Sequence, residues 1–289
     1  METRAACGGF SLRTFGCASR DVGFALIELL VVISIITLLI GIIIPSLARA
    51  RMAAKVAADL SNLRQMGIAV TAYNNDEDGY YPKHSSPKAG PWPGFSNRPR
   101  WPDYVFQYVA DPDAFLNPML TERELATNFQ KPFAHDPSIG YGGYGYNFQY
   151  LGNSRFNPVF HARNVVNVQA PGRTVVVGDT AGSRGGNSSA DPGDGGEAVY
   201  VLDPPLTSAR KAHPDGRAYY PGSSVDEPNG TQQTYRWRSF PPDRGGFPPS
   251  FTFADGHAAS VAIDQIDDLD GDGVKDNGYW NGLGDPSLR

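Results

Sequence analysis

Residues 24–47 have the sequence FALIELLVVISIITLLIGIIIPSL. It carries one charged side chain, Glu28, in a run of otherwise mostly apolar residues. A helix needs about 20 predominantly apolar residues to cross the hydrocarbon core of a bilayer. We therefore predict that residues 24–47 form the transmembrane half of an N-terminal helix.

An ordinary secretory signal peptide is the main alternative for this stretch. Such peptides have a shorter apolar core, and a small-residue cleavage site follows that core. Here the run is long and is followed by Arg49, Arg51 and Lys55 in a helix-compatible stretch. The pattern favours a membrane helix that is retained.

The residues before the apolar run indicate a different kind of processing. Residues 1–23 contain three arginines and lead into Gly23-Phe24-Ala25-Leu26-Ile27-Glu28. This arrangement resembles the class III signal of type IV pilins and type II secretion pseudopilins, although Ala25 stands where many members have Thr. The resemblance implies that a prepilin peptidase cuts between Gly23 and Phe24 and that Phe24 is then N-methylated. It also implies a single-pass protein of the bacterial inner membrane, with residues 1–23 inside and the bulk of the chain periplasmic or extracellular.

The position of Glu28 in an apolar run is unusual. Inserting a carboxylate into the hydrocarbon of a membrane costs about 2.5–3.5 kcal/mol on insertion scales, so such a residue usually has a partner. Cleavage creates an amine at Phe24, and residues four apart share a helix face. We predict that Glu28 pairs with this amine or with that of a neighbouring subunit, which would set the axial register of a filament. The alternative is a glutamate at the membrane edge that reaches water.

Pro45 lies late in the apolar run, where proline removes a backbone donor and predicts a helix kink. Beyond it, residues 48–79 are predicted to be an amphipathic half of the same helix that ends at Gly79. Its apolar face is formed by residues at steps of three or four, among them Leu47, Ala50, Ala54, Ala57, Leu60, Leu63, Gly67, Val70 and Tyr73. Asp59 is expected mostly off this face.

A helix with one half apolar all round and the other half one-sided is the layout of pilins. The resemblance therefore implies an α+β fold, in which the long helix packs on a mainly antiparallel sheet with long loops over residues 80–265. A lone membrane span followed by an independent β-sandwich is the alternative. Within this region we predict a loop over residues 82–104 and a short helix near 121–128.

Several strands are predicted in the same region. Residues 141–151 alternate aromatic side chains with glycine and resemble the "YGYN" strand of prepilin-type proteins, although a stacking platform for sugars is an alternative. Residues 173–179 predict a buried strand, 198–202 a short strand, and 251–263 a hairpin that turns at Asp255-Gly256. The FADGH segment resembles the end of the H-X9-DG motif of such proteins. The first histidine of that motif would fall at position 245, which is Gly, so no catalytic meaning is carried over.

The C-terminal region, residues 266–289, contains the sequence DDLDGDGVKDN at 267–277. Asp268, Asp270, Asp272 and Asp276 stand at positions 1, 3, 5 and 9 of a calcium loop, with Gly273 at position 6 and the Val274 carbonyl at position 7. Position 12 is Tyr279 and not an acid, so the loop is similar to the DxDxDGxxD loops of extracellular calcium repeats. We predict a structural Ca²⁺ bound with an affinity of about 0.1–1 mM. A solvated acidic turn is the alternative.

Charge and motifs bear on the class of function. The net charge of −5 gives no general attraction to nucleic acid. Both cysteines, Cys7 and Cys17, precede the predicted cut, and no HExxH, GxSxG or Walker A motif occurs. We predict a non-enzyme, a structural subunit of a type II secretion pseudopilus or type IV pilus-like filament, with other pilin-like subunits, the processing enzyme and the inner membrane as partners. A membrane-anchored module that binds a glycan or a protein is the alternative.

Overall fold

The computed structural model describes residues 26–83, 99–122, 131–136, 138–148, 150–152, 164–180, 202, 244 and 246–287. The chain divides into two compact units, Met1–Ala50 and Arg51–Arg289. Gly23, Phe24, Gly245 and most of the strand and helix predicted at 198–202 and 121–128 lie outside the described residues.

Helix α1, Leu26–Asp76, begins in the first unit as an apolar, exposed helix. Its most apolar 18-residue window has a mean hydropathy of 3.0, and none of that window is buried. The hydroxyls of Ser34, Thr37 and Ser46 each donate to a carbonyl three or four residues earlier, which satisfies them without outside partners. By length and composition, α1 is able to cross a membrane.

Pro45 lies inside α1 and does not end it. A proline in a helix interior lacks an N–H, so one helical hydrogen bond is missing at this site. The predicted kink at Pro45 stays a prediction.

The second half of α1 has one buried face. Its buried residues are Asp59, Leu63, Met66, Gly67, Ala69, Val70, Tyr73 and Asn74. This face begins later than predicted, since Ala50, Ala54 and Ala57 are exposed, and the expectation for Asp59 was wrong. The predicted end of the helix is confirmed: the Gly79 N–H donates to the Asn74 carbonyl at 2.7 Å, and Gly79 has φ of 81°.

Helix α2, Trp101–Val109, corrects the last four residues of the loop predicted over 82–104. Residues 84–98 of that loop lie outside the described residues. Pro102 lies in its first turn, where a missing N–H costs nothing, and the Asp103 carboxylate accepts from the Arg100 N–H at 2.8 Å. The helix ends at Ala110, which has φ of 56°. A start signal was present in the sequence, but the surrounding Pro, Gly and Ser residues obscured it.

The strands of the described residues form two antiparallel sheets. The smaller pairs β1 with β2, and the larger has the order β3-β4-β5-β6. Their bounds are β1 Lys131–Pro132, β2 Gly140–Tyr141, β3 Tyr144–Tyr146, β4 Val175–Asp179, β5 Ser250–Phe253 and β6 Ala258–Ser260. A short helix, α3, follows at Ile263–Ile266, and single 3₁₀ turns occur at Pro112–Phe115, Val165–Asn167 and Pro171–Arg173.

The buried strand predicted at 173–179 is confirmed by β4, and the hairpin at 251–263 by β5 and β6. Gly256 has φ of 87° in the hairpin turn, which explains why glycine follows Asp255 there. The strand predicted at 141–151 was partly wrong. It breaks into β2 and β3, and the chain turns after Asn147.

One apolar core joins the second half of α1 to the sheet. It contains Leu63, Met66, Val70 and Tyr73 from α1 together with Trp101, Phe115, Phe133, Tyr146, Phe148 and Val177. A second cluster on β4 and β5 contains Phe251, Phe253, Ile266 and Trp280. The architecture is thus α+β, with a long apolar N-terminal helix and a small antiparallel sheet. The described strands do not form the β-sandwich of the alternative prediction.

Candidate functional sites

The first candidate site is the start of α1. Glu28 lies in the first turn of the described helix, and its side chain is exposed. Gly23 and Phe24 lie outside the described residues, so the cut site and the partner amine stay predictions.

The second candidate site is the acidic loop, residues 267–277, which folds around its own backbone N–H groups. The Asp268 carboxylate accepts from the N–H groups of Gly271 at 2.7 Å and Gly273 at 2.8 Å. Gly271 and Gly273 have φ of 74° and 82°, a conformation that side chains disfavour. Two glycines thus let the chain wind tightly around the first aspartate.

Three of the four predicted carboxylates converge. Asp268, Asp270 and Asp276 each offer an oxygen, and these three atoms lie within 4.8 Å of one another. Asp272 is not part of this group, and its carboxylate accepts from the Val274 N–H at 2.7 Å. The part of the Val274 carbonyl in binding an ion stays a prediction. Clustered carboxylate oxygens are the ligands that Ca²⁺ prefers.

Asp276 is the buried member of the group. Its two carboxylate oxygens accept from the N–H groups of Leu269 at 2.8 Å and Gly278 at 2.6 Å. Asp268 is half-buried, and partial desolvation acts to raise its pKa. The N–H groups of Gly273 and Gly271 outweigh this effect and hold the pKa of Asp268 below its usual value. Asp268 is therefore ionised at neutral pH, as a metal ligand must be.

Next to this group, burial raises the pKa of Asp267 to about 7. The Lys275 ammonium lies 3.5 Å from its carboxylate and acts to lower that pKa. The negative charge of the acidic loop near neutral pH is therefore sensitive to whether Asp267 is protonated.

The chain after the acidic loop is tied to the sheet. The buried Trp280 donates through Nε1 to the Ile266 carbonyl at 3.1 Å. Asn147 Nδ2 donates to the carbonyls of both Val175 and Trp280 at 2.9 Å. The Val175 N–H in turn donates to the Tyr279 carbonyl at 2.8 Å. These hydrogen bonds link the chain after the acidic loop to β4, so we expect a change in the loop to affect this strand.

Sequence reasoning missed a pair of buried acids, Asp59 of α1 and Asp179 of β4. Tyr144 donates to Asp59 at 2.7 Å, and Asn117 and the Ser250 N–H donate to Asp179 at 2.5 and 2.9 Å. Burial raises the pKa of both carboxyls, and the charge of Asp59 raises that of Asp179 further. An acid near an apolar helix face was the only sequence signal.

Two further residue groups are structural where they are described. The rings of Tyr141, Tyr144 and Tyr146 are at most 2% exposed, so the alternative of a sugar-stacking platform on them was wrong. His257 stacks on Phe253 with 4.3 Å between ring centroids, and its Nδ1 lies 2.6 Å from the Asp255 carboxylate. The FADGH segment therefore forms a stabilised hairpin turn.

Comparison with protein-family models, curated proteins and solved structures finds no match to this chain.

Proposed function

We propose that the chain is a prepilin-like structural subunit of a type II secretion pseudopilus or type IV pilus-like filament. Residues 1–23 are removed by a prepilin peptidase, Phe24 is N-methylated, and the apolar half of α1 holds the subunit in the inner membrane before assembly. In this role the chain is a substrate of the processing enzyme and performs no catalysis itself.

The continuity of α1 carries this proposal. A helix that only anchors a domain has no need to extend beyond the membrane as part of the domain core. Here the 51-residue helix has an apolar exposed first half, while Leu63, Met66 and Val70 of its second half lie in the core with the sheet. In this proposal the same helix supplies both the membrane or filament segment and part of the core of the folded domain.

Glu28 takes the role of an assembly residue in this proposal. Its carboxylate pairs with the amine that cleavage creates at Phe24, in the same subunit or in the next one. Within an apolar filament core such a pair is favoured over an unpaired charge, so it selects one axial position for an incoming subunit.

Calcium is proposed as a structural ligand of the acidic loop, held by Asp268, Asp270 and Asp276, with Asp272 and the Val274 carbonyl as further predicted contributors. Neutralising three converging carboxylates would stabilise the loop and, through Trp280 and Asn147, its attachment to β4. The mature chain has no cysteine under this proposal, so an ion would replace disulfides as a cross-link.

The processing step is tested by expressing the full chain in bacterial membranes with and without a prepilin peptidase. With the peptidase present, the intact mass of the purified chain is expected to decrease by the mass of residues 1–23 and to increase by the mass of one methyl group. Gly23→Val blocks the cut. Gly41→Val does not, because Gly41 lies well beyond the cut site, and a side chain there has room, with nothing within 4 Å of its Cβ. An uncleaved chain beside a peptidase that cuts a reference prepilin contradicts the proposal.

Assembly is tested separately with Glu28→Gln. We expect this variant to be cleaved normally but to be lost from sheared filaments or from subunit cross-links. Ser34→Ala is the matched control, since the Ser34 hydroxyl is already bonded to the Leu30 carbonyl of its own helix at 2.7 Å. Equal incorporation of Glu28→Gln and the unmodified chain would remove the assembly role of Glu28.

A further inference from the structure

A cleft of about 400 Å³ opens where α1 ends and α2 packs beside it. Four tyrosines line it, Tyr73, Tyr80, Tyr81 and Tyr104, and Glu77 and Lys83 add one charge of each sign. We call it the tyrosine cleft. Its volume lies in the range of about 300–1,000 Å³ that is typical of small-molecule sites.

Tyr80 distinguishes this cleft from an ordinary surface groove. It is 57% exposed and is the only aromatic residue among the large exposed hydrophobics of the described chain. Its backbone is nevertheless held firmly: the Tyr80 N–H donates to the Glu77 carbonyl at 2.9 Å, and Tyr80 forms a bridge with Asn164. Next to it, the Val165 N–H donates to the Gly79 carbonyl at 2.9 Å. An exposed aromatic ring is thus presented from an ordered position.

The other tyrosines form the wall behind this ring. Tyr73 and Tyr104 meet edge to face, with 6.2 Å between their ring centroids. Burial raises the pKa of Tyr81 to about 12, so its hydroxyl stays protonated and able to donate at neutral pH. The cleft therefore combines ring faces with neutral hydroxyls, a carboxylate and an ammonium group.

This combination matches one ligand chemistry better than others. A purely apolar ligand would leave Glu77 and Lys83 without new partners, and a small ion would make no use of the tyrosine rings. A pyranose ring presents C–H groups of slight positive charge on one face, which pack on the negative face of an aromatic ring. The hydroxyl groups around a pyranose ring both donate and accept hydrogen bonds. They can therefore donate to a carboxylate, accept from an ammonium group, and do either with a phenol.

We propose that the tyrosine cleft binds a carbohydrate, with a sugar ring stacked on Tyr80 and its hydroxyls bonded by Glu77 and Lys83. This binding role is separate from the proposed assembly role, because it uses the tyrosine cleft and not the exposed apolar half of α1. The ligand class is a neutral oligosaccharide built from pyranose units.

The test uses the full chain in a detergent without a sugar headgroup, because alkyl glycosides would compete for the cleft. Cellotetraose and chitotetraose are titrated into it, and binding is followed by calorimetry. At least one of the two is expected to bind. Tyr80→Ala then weakens binding about tenfold, since one stacked ring contributes roughly the free energy of a tenfold change in Kd. Tyr80→Phe keeps the ring and stays within about threefold.

Two further variants separate stacking from a general loss of structure. Glu77→Gln is expected to raise Kd severalfold without changing the Tm. His257→Ala removes a side chain that is 46% exposed, far along the chain in the β5–β6 hairpin, and is expected to leave Kd unchanged. Equal Kd values for Tyr80→Ala and the unmodified chain overturn the proposal. So does the failure of both tetrasaccharides to bind at millimolar concentration, and neither result bears on cleavage or assembly.

Discussion

The hydroxyl of Tyr144 in β3 donates a 2.7 Å hydrogen bond to the Asp59 carboxylate in α1, and both side chains are buried. The bond joins the amphipathic half of the long helix to the sheet at the point where the buried face of the helix begins. A polar contact in such a place fixes the register of helix on sheet, because any sliding leaves a buried acid without its donor.

Tyr144→Phe tests this contact. Removing the donor leaves the buried Asp59 oxygen unsatisfied, so we expect the free energy of unfolding to fall by about 1–3 kcal/mol. The measurement is denaturant unfolding of the full chain in micelles. Tyr80→Phe is the control, since it removes the hydroxyl of an exposed tyrosine. Equal stabilities of the two variants would show that the bond contributes nothing.

The Asp59–Asp179 pair predicts a pH dependence of stability. Burial raises the pKa of both groups above the model-compound value of 3.8, so folding favours their protonated forms. The stabilisation that the two protonated carboxyls provide is fully present when the pH is below their unfolded-state pKa. It is lost as the pH rises through their folded-state pKa, because two buried like charges then face each other. Arg244, which also lowers both pKa values, only partly offsets this loss. We expect Tm to fall as the pH rises from about 4.

Asp59→Asn isolates the pair from other titrating groups such as Asp267. An amide retains an oxygen that can accept from Tyr144, and it removes one charge from the pair. The variant is expected to melt higher than the unmodified chain at neutral pH and to show a shallower slope of Tm against pH. Asp78→Asn, at an exposed acid, serves as control. Parallel slopes for all three chains would refute the coupling.

Calcium is expected to stabilise the chain through the acidic loop. At a hundredfold excess over Kd the gain is about 2.7 kcal/mol, which appears as a higher Tm with calcium than with chelator. Asp268→Asn combined with Asp270→Asn abolishes the difference, because two converging ligands lose their charge. Asp78→Asn leaves it intact. Identical melting with calcium and with chelator would remove the site.

Gly67 predicts how closely α1 approaches the sheet. A Cβ at this position would overlap the Thr252 Oγ1 atom of β5. Gly67→Ala should therefore push the helix from the sheet and destabilise the fold by about 1–3 kcal/mol, despite the better helix propensity of alanine. Gly41→Ala is the matched control in the same helix, with nothing within 4 Å of its Cβ. A Gly67→Ala variant at least as stable as the unmodified chain would contradict this packing.

Local sequence patterns were sufficient to predict the elements whose conformation depends mainly on residues adjacent in the chain. The apolar run, the end of α1 at Asp76, the β-branched strand β4 and the hairpin around Asp255-Gly256 all follow from periodicity and turn chemistry. The break between β2 and β3 did not follow from local patterns. The start of α2 at Trp101 was obscured by the Pro, Gly and Ser residues before it, although Pro102 and Asp103 are typical of a helix start.

The sequence by itself determined a membrane-length helix that continues into an amphipathic segment, and an acidic loop with calcium-type spacing. It did so because hydrophobic period and carboxylate spacing are properties of neighbouring residues. The folded chain was needed to show that Asp59 meets Tyr144, that Asp272 stands apart from the other three acids, and that Tyr80 faces a cleft. The first and third relations join distant parts of the chain and depend on how its elements pack together. The second depends on the backbone conformation of the acidic loop, which the spacing of the carboxylates does not specify.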